Sequence, residues 1–219
     1  MQWIVMSNQI QKHFWADISD ASDEPGVYAW YYNPEITDFD LDKTIQLAQK
    51  ATTSEEAEKI IRDTLEERLF RYFREEPYTA SISGPLKPAY VGSLEHKSGI
   101  SSSLVSRIAA NPERLRNIRD TLTQSAPLFA SPLYIGMASK LRRRLSRHKA
   151  LIEEFRSLVP RDINEDVESD AGFALQVAKR KIPPERLFVV TCSMPSSDGT
   201  QVDIENILNR IYYPILGRN

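Results

Sequence analysis

PLYIGMASKLRRRLSRHK, residues 132–149, joins a short apolar segment to a strongly basic one. Residues 132–136 have the composition and the flanking breakers of a β-strand. From residue 140 onward, Leu141 and Leu145 recur four residues apart, which is typical of the buried face of an amphipathic helix. A strand followed closely by a helix predicts that this region belongs to a small sheet flanked by helices.

The segments on either side extend this pattern. PGVYAWYY, residues 25–32, predicts a strand entered through a Pro-Gly turn, and residues 187–192 predict another. Residues 89–92 suggest a short strand after a loop at 77–88. Helical patterns cover residues 40–51, 54–76, 102–110, 113–124, 140–158, 171–181 and 202–213. With residues 33–131 set aside, the order is strand, strand, helix, helix, strand, helix, which predicts an α+β core.

Composition narrows the class of protein. The chain has 219 residues, and its 41% hydrophobic and 26% charged content is ordinary for a globular protein. No apolar run approaches the roughly 20 residues that a membrane-spanning helix needs, and the first residues lack a signal-peptide pattern. We therefore expect a cytoplasmic protein without a membrane partner. The single cysteine, Cys192, excludes an internal disulfide and a cysteine-based zinc site. The net charge of −2 excludes a basic DNA-coating protein, but it permits a local basic patch.

Five features with chemical potential occur in order: the tripeptides Gly26-Val27-Tyr28 and Tyr134-Ile135-Gly136, then Arg144, His148 and Glu205. Arg144 follows Tyr134 by ten residues and His148 follows it by fourteen. The set resembles the two signature tripeptides, the helix arginine, the following histidine or tyrosine and the metal-binding glutamate of the GIY-YIG nuclease family. Tyr90-Val91-Gly92 has the same tripeptide form but lacks the arginine and histidine at those distances.

This resemblance implies a fold and a set of roles. The fold is an α+β core with a small three-stranded central sheet flanked by helices, formed by residues 1–32 and 132–219 and interrupted by a large, mainly helical insertion at 33–131. The implied catalytic residues are Tyr28, Tyr134, Arg144, His148, Glu205 and Asn219. Glu205 would hold Mg²⁺ or Mn²⁺. Asn209 is the less favoured alternative to Asn219.

The resemblance also assigns proton transfer. Tyr28 would act as general base on the water nucleophile, His148 would relay or accept the proton, and Tyr134 would bind the phosphate or order the water. Which of Tyr28 and His148 takes the proton first stays open.

The residue types suit phosphodiester hydrolysis on physical grounds. The arginine can hold a phosphate oxygen through two donors, and a single carboxylate suits Mg²⁺, which keeps most of its waters. A phenol with a pKa of about 10 is a weak base near neutrality, but nearby cations favour its ionised form. If both strands bury their aliphatic faces, Tyr28 and Tyr134 emerge on one polar face. Taken singly, either tyrosine could equally be a packed aromatic, and Glu205 could cap its helix.

The basic segment predicts contacts with nucleic acid. Its expected phosphate-binding residues are Lys140, Arg142, Arg143, Arg147 and Lys149. A solvated helix face is the alternative for such a run of charge. Because the basic segment follows the second tripeptide closely in the sequence, phosphate contact is the favoured interpretation. These side chains would then position DNA without reading its sequence.

Together these features predict a metal-dependent endonuclease that hydrolyses double-stranded DNA, in a restriction or defence setting. The alternative is a catalytically weak subunit that binds nucleic acid or a partner protein in a larger assembly. The insertion is expected to select substrate or to form a homodimer or a partner-docking surface. Its tail is locally basic through Arg107, Arg114, Arg116 and Arg119, which suggests DNA contact.

Overall fold

The computed structural model describes residues 9–34, 36–73, 78–85, 87–94, 99–158, 172–194 and 199–217. The chain divides into two compact units, one formed by residues 1–34 and 123–219 and the other by residues 35–122. The predicted insertion, residues 33–131, includes all of the second unit. Within the described ranges, none of the helices has the length and apolar character needed to cross a membrane.

Helices and antiparallel strands together confirm the α+β class. The strands are β1 (Gln9–Phe14), β2 (Gly26–Tyr32), β3 (Tyr78–Gly84), β4 (Lys87–Leu94), β5 (Tyr134–Ala138) and β6 (Leu187–Ser193). The helices are α1 (Asp38–Lys50), α2 (Ser54–Leu65), α3 (Ser102–Ala109), α4 (Arg114–Phe129), α5 (Leu141–Ser157), α6 (Gly172–Lys179) and α7 (Thr200–Tyr212). A π-helical turn, Glu66–Phe70, extends α2, and a 3₁₀ turn, Trp15–Asp20, follows β1.

The main sheet has four antiparallel strands in the order β1-β6-β2-β5, so the expectation of a three-stranded sheet is wrong. The added strand, β1, pairs with β6 along its whole length. The sequence of this strand, QIQKHF, carries no strand pattern, because only His13 is buried and the other side chains are exposed. An exposed edge strand needs no apolar alternation, which is the signal that sequence reading depends on.

The two faces of this sheet differ from the expectation. Cross-strand pairing places Tyr28 opposite Gly136 and Trp30 opposite Tyr134, so both tyrosines do share a face. That face is buried rather than a polar surface, because α5 and α6 cover it and Tyr28 is 2% exposed. The other face is covered in part, since Ile135 is 3% exposed. Met137, on the aliphatic side of β5, is 40% exposed. Large aromatic side chains remove more apolar area from water than small aliphatic ones, which favours covering their face.

The second unit has its own core between α1, α2, α3 and the first part of α4. Side chains from these helices form it: Leu41, Ile45, Ile61, Leu65, Val105, Ile108 and Leu115. Thr37 and Thr53 cap α1 and α2 by accepting hydrogen bonds from the backbone amides of Asp40 and Glu56. Helical periodicity therefore predicted these elements well.

The second unit also contains a β-hairpin, which corrects the expectation of a loop at 77–88 within a mainly helical insertion. β3 and β4 pair antiparallel, with Ile82 opposite Tyr90. Small polar residues dominate β3, YTASISG, so it lacks the apolar alternation of a half-buried strand. Both Ile82 and Tyr90 are largely exposed.

Two arginines of α4 are paired with carboxylates inside this unit. Arg116 contacts Asp42 at 2.7 Å and Glu113 at 2.9 Å. Arg119 contacts Asp38 and Asp120, each at 2.6 Å. The hydrogen bonds from Arg119 hold the pKa of the Asp38 carboxyl below its usual value. These ion pairs join α4 to α1, so the charge of two of the four arginines that suggested DNA contact is balanced by neighbouring acids.

Candidate functional site

A hydrogen-bonded cluster of predicted site residues lies between the sheet and α5. The hydroxyl of Tyr28 is 2.9 Å from Nε2 of His148. Nε of Arg144 donates a hydrogen bond to the same hydroxyl over 3.2 Å. The ring of Tyr134 lies 6.2 Å from the ring of Tyr28 and 5.9 Å from that of His148, measured between centroids. Four of the six predicted catalytic residues therefore converge.

Two glycines make this convergence possible. A Cβ atom on Gly136 would lie 2.6 Å from the Tyr28 hydroxyl and 2.8 Å from a ring carbon of Tyr134. A Cβ atom on Gly26 would collide with the backbone carbonyl of Cys192 and lie 2.9 Å from Leu141. The glycines of both tripeptides are thus explained by close packing, at Gly136 against the two tyrosine rings.

Helix geometry places the arginine and the histidine together. Arg144 and His148 are four residues apart and share one face of α5, while Leu141 and Leu145 anchor the neighbouring face in the core. His148 is 1% exposed, whereas Arg144 and Tyr134 are half-buried. The cluster therefore has a buried part, formed by Tyr28 and His148, and a part that reaches the surface.

Two further aromatic residues, Phe173 and Trp30, pack against the cluster, and the sequence analysis did not assign them to the site. Phe173 of α6 stacks on Tyr134 with 5.0 Å between centroids and on Trp30 at 5.5 Å. It also meets the His148 ring edge-on at 5.4 Å. In the sequence, Phe173 begins an apolar stretch, FALQVAK, that is indistinguishable from any core helix. Only the contacts of Phe173 with residues distant in the chain show that it belongs to the cluster.

Burial raises the pKa of the Tyr28 phenol, and the neighbouring Tyr134 raises it further. Arg144 acts in the opposite direction through its charge and hydrogen bond, but it does not compensate for the loss of water around the phenol. Burial therefore outweighs the positive charge of Arg144 in setting the pKa of the Tyr28 phenol. Tyr28 holds its proton.

We expect Tyr28 to stay protonated in alkaline solution after exposed tyrosines have ionised. An unfolded tyrosine has a pKa of about 10, and a higher folded-state value means that stability present below pH 10 is lost as the pH rises further. Near-ultraviolet phenolate absorbance at pH about 11, with the fold checked by circular dichroism, measures this. The parent chain has nine tyrosines. Tyr28→Phe should leave the phenolate absorbance at this pH unchanged, because Tyr28 is still protonated there. Tyr213→Phe, at an exposed position, should lower that absorbance. An equal loss in both variants would contradict the expectation.

Glu205 is not joined to the cluster. It lies on α7, which packs against β5 and β2, and within the described residues its carboxylate accepts a hydrogen bond from Asn209 at 2.7 Å. The end of α7 lies beside Tyr31, since the Tyr212 phenol adds to burial in raising the pKa of Tyr31. Tyr31 points to the opposite face of β2 from Tyr28. The end of α7 therefore lies on the side of the sheet opposite to the Tyr28 ring.

Asn219, the predicted sixth catalytic residue, lies outside the described residues. Its alternative, Asn209, is described and lies one helical turn after Glu205. The amide of Asn209 donates both to the Glu205 carboxylate and to its backbone carbonyl, at 3.1 Å. Asn209 thus orients the one carboxylate that was predicted to hold a metal ion.

The basic residues of α5 divide into two groups. Arg142 donates to the carbonyl of Ala21 at 2.8 Å, and Lys149 donates to the carbonyl of Trp15 at 3.0 Å, with its Nζ 5.3 Å from the Trp15 ring. These two side chains fasten the segment after β1 to α5. The remaining three predicted phosphate contacts are exposed along the helix: Lys140, Arg143 and Arg147.

The chain was compared with known proteins. No family model, no curated protein and no solved structure matches it. Across the described ranges, moreover, no three metal-ligating side chains come together. Function therefore has to be inferred from the geometry of the cluster and from the chemistry of its residues.

Proposed function

We propose that the chain is a metal-dependent endonuclease of the GIY-YIG type that hydrolyses phosphodiester bonds in double-stranded DNA, in restriction or defence. The observation that carries the proposal is the shared hydroxyl of Tyr28, which contacts His148 and Arg144 across 120 and 116 positions of sequence. Those are the positions at which the motif spacing predicted a site. Packing alone does not require a buried phenol and imidazole that are hydrogen-bonded in one network with a half-buried guanidinium.

The division between buried and accessible groups suggests separate roles. Arg144 and Tyr134 reach the surface, so we assign them to phosphate: a fixed guanidinium stabilises the charge that develops at the transition state. Tyr28 and His148 are buried beneath them. In the chain as it stands, Tyr28 holds Arg144 and His148 in place, and its raised pKa makes it a poor base.

A metal ion fits Glu205 by its chemistry. A single half-buried carboxylate, oriented by Asn209, is the ligand set expected for Mg²⁺ or Mn²⁺, which take few protein ligands and retain water. When bound, the ion would supply charge stabilisation for the departing oxygen. Glu205 and Asn209 would hold the ion, and Arg144 would bind a phosphate oxygen.

DNA is the proposed substrate because cations line the accessible side of α5. Lys140, Arg143 and Arg147 can meet successive phosphates without reading bases. The second unit is proposed to select substrate or to assemble the protein with a second copy or another partner. Its exposed Ile82 and Tyr90 support an assembly role, since a two-stranded hairpin is only marginally stable without a partner.

A second candidate function is a catalytically weak subunit that binds nucleic acid or a partner protein. The separation of Glu205 from the cluster favours it, because binding alone does not require that carboxylate. Both candidate functions use the same basic helix, so a DNA-binding assay does not distinguish them. A DNA-cleavage assay does distinguish them.

Plasmid nicking tests the proposal. We expect supercoiled DNA to be cut with Mg²⁺ or Mn²⁺ and left intact with EDTA. Glu205→Gln should reduce the rate by about 100-fold or more, because the charged ligand of the ion is lost. Glu153→Gln, at an exposed position of α5, is the matched control and should cut like the parent. Binding without any cleavage would favour the second candidate, and equal rates in both variants would exclude Glu205 as the metal ligand.

A further inference from the structure

Phe173 occupies a central place in the aromatic cluster. Its ring stacks on those of Trp30 and Tyr134, roughly parallel to both, with interplanar angles of 27° and 29°. Phe173 itself is 2% exposed. The ring centroids of Tyr28, Tyr134 and Trp30 lie 5.7, 5.9 and 6.3 Å from that of His148, and the centroid of Phe173 lies 5.4 Å from it.

Tyr134 needs such support more than Tyr28 does. Tyr28 is held by side-chain hydrogen bonds to His148, Arg144 and Tyr134 and by near-complete burial. Tyr134 is half-buried at the edge strand β5, and its ring contacts are with Tyr28, His148 and Phe173. Of these, the stack on Phe173 is the closest and the most nearly parallel. A ring stacked in this way has one preferred plane, which fixes the direction of its hydroxyl.

We infer that Phe173 is a positioning residue, which sets the plane of the Tyr134 ring and holds the His148 imidazole against Tyr28. It touches no reacting atom and acts through these two side chains. Its importance for catalysis rests on the proposed nuclease function, whereas its control of ring geometry does not. Misplacement of reacting groups by about 1 Å lowers rates by about 100-fold, so a small rotation of Tyr134 would be measurable.

Phe173→Leu tests this inference, since leucine keeps an apolar side chain but removes the stacking ring. Phe188→Leu is the matched control, because Phe188 is equally buried and stacks on Tyr31 at 5.1 Å on the other face of the sheet. Both variants should lose comparable stability. Only Phe173→Leu should disturb the cluster.

The first measurement is nitrogen NMR of the imidazole rings in ¹⁵N-histidine-labelled protein. The chain has three histidines, and a His148→Gln sample assigns the signal. We expect His148 in the parent and in Phe188→Leu to show one tautomer with two resolved ring nitrogens. In Phe173→Leu the two signals should move toward each other as the tautomers average. Unchanged signals in Phe173→Leu, or the same averaging in both variants, would overturn the inference.

The second measurement is the nicking rate, separated into kcat and KM. We expect Phe173→Leu to lower kcat about tenfold with KM unchanged, and Phe188→Leu to change neither. An unchanged kcat in Phe173→Leu would overturn the catalytic part of the inference. If the parent chain cuts no DNA, the proposed function fails, and the imidazole signals alone decide whether Phe173 sets the geometry of the cluster.

Discussion

Replacing Arg144 by lysine should lower the single-turnover rate of DNA nicking by about 100-fold while the fold is retained. The guanidinium donates through Nε to Tyr28 over 3.2 Å, and the side chain is half-buried. Lysine places a point charge on a flexible chain and cannot serve the phenol and a phosphate in one fixed geometry. Charge alone is therefore not expected to rescue the reaction.

Arg143→Lys is the control for this prediction. Arg143 is the adjacent residue on α5 and is exposed, so its proposed contact with phosphate depends mainly on charge. We expect its nicking rate to stay within about threefold of the parent rate at constant salt. Equal rates in the two variants would show that the geometry of the Arg144 guanidinium has no special part in the reaction, and the site would then lose its proposed phosphate-binding group.

Gly136→Ala should destabilise the protein by about 2–3 kcal/mol. The added methyl group would lie 2.6 Å from the Tyr28 hydroxyl and 2.8 Å from the Tyr134 ring, so both rings would have to move. Tyr28 has little room to do so, because it is buried and hydrogen-bonded to His148 and Arg144. Urea unfolding measures the change in the free energy of unfolding.

The second tripeptide of the same form supplies a matched control. Gly92, in Tyr90-Val91-Gly92, has no heavy atom within 4 Å of the position that a Cβ atom would take. We expect Gly92→Ala to change stability by less than about 0.5 kcal/mol. Similar losses in Gly92→Ala and Gly136→Ala would contradict the packing that distinguishes the two tripeptides.

Much of the core was predictable because its signals are local. The strands at residues 26–32, 134–138 and 187–193 carry apolar runs bounded by turn residues, and the helices carry apolar side chains at helical spacing. The exposed strands β1 and β3 were missed. Strand pairing is made by backbone atoms, so a strand without a buried face leaves little trace in the side chains.

The candidate site was predictable in part. Spacing identified Tyr28, Tyr134, Arg144 and His148, which the sheet and α5 bring together. It could not identify Phe173, whose partners lie far away in the chain. It also could not place Glu205, because the position of α7 against the sheet depends on packing rather than on any feature of its own sequence.

By itself, the sequence determined the helices, the apolar strands β2, β5 and β6 and the side chains that stand at motif distances, because these follow from periodicity and from counting along the chain. The tertiary structure alone decided what covers each face of the sheet. α5 and α6 pack on the aromatic face, so Tyr28 is buried and keeps its proton, with a pKa raised above the ordinary value. Burial depends on neighbours from distant parts of the chain, and the protonation of a phenol depends on burial.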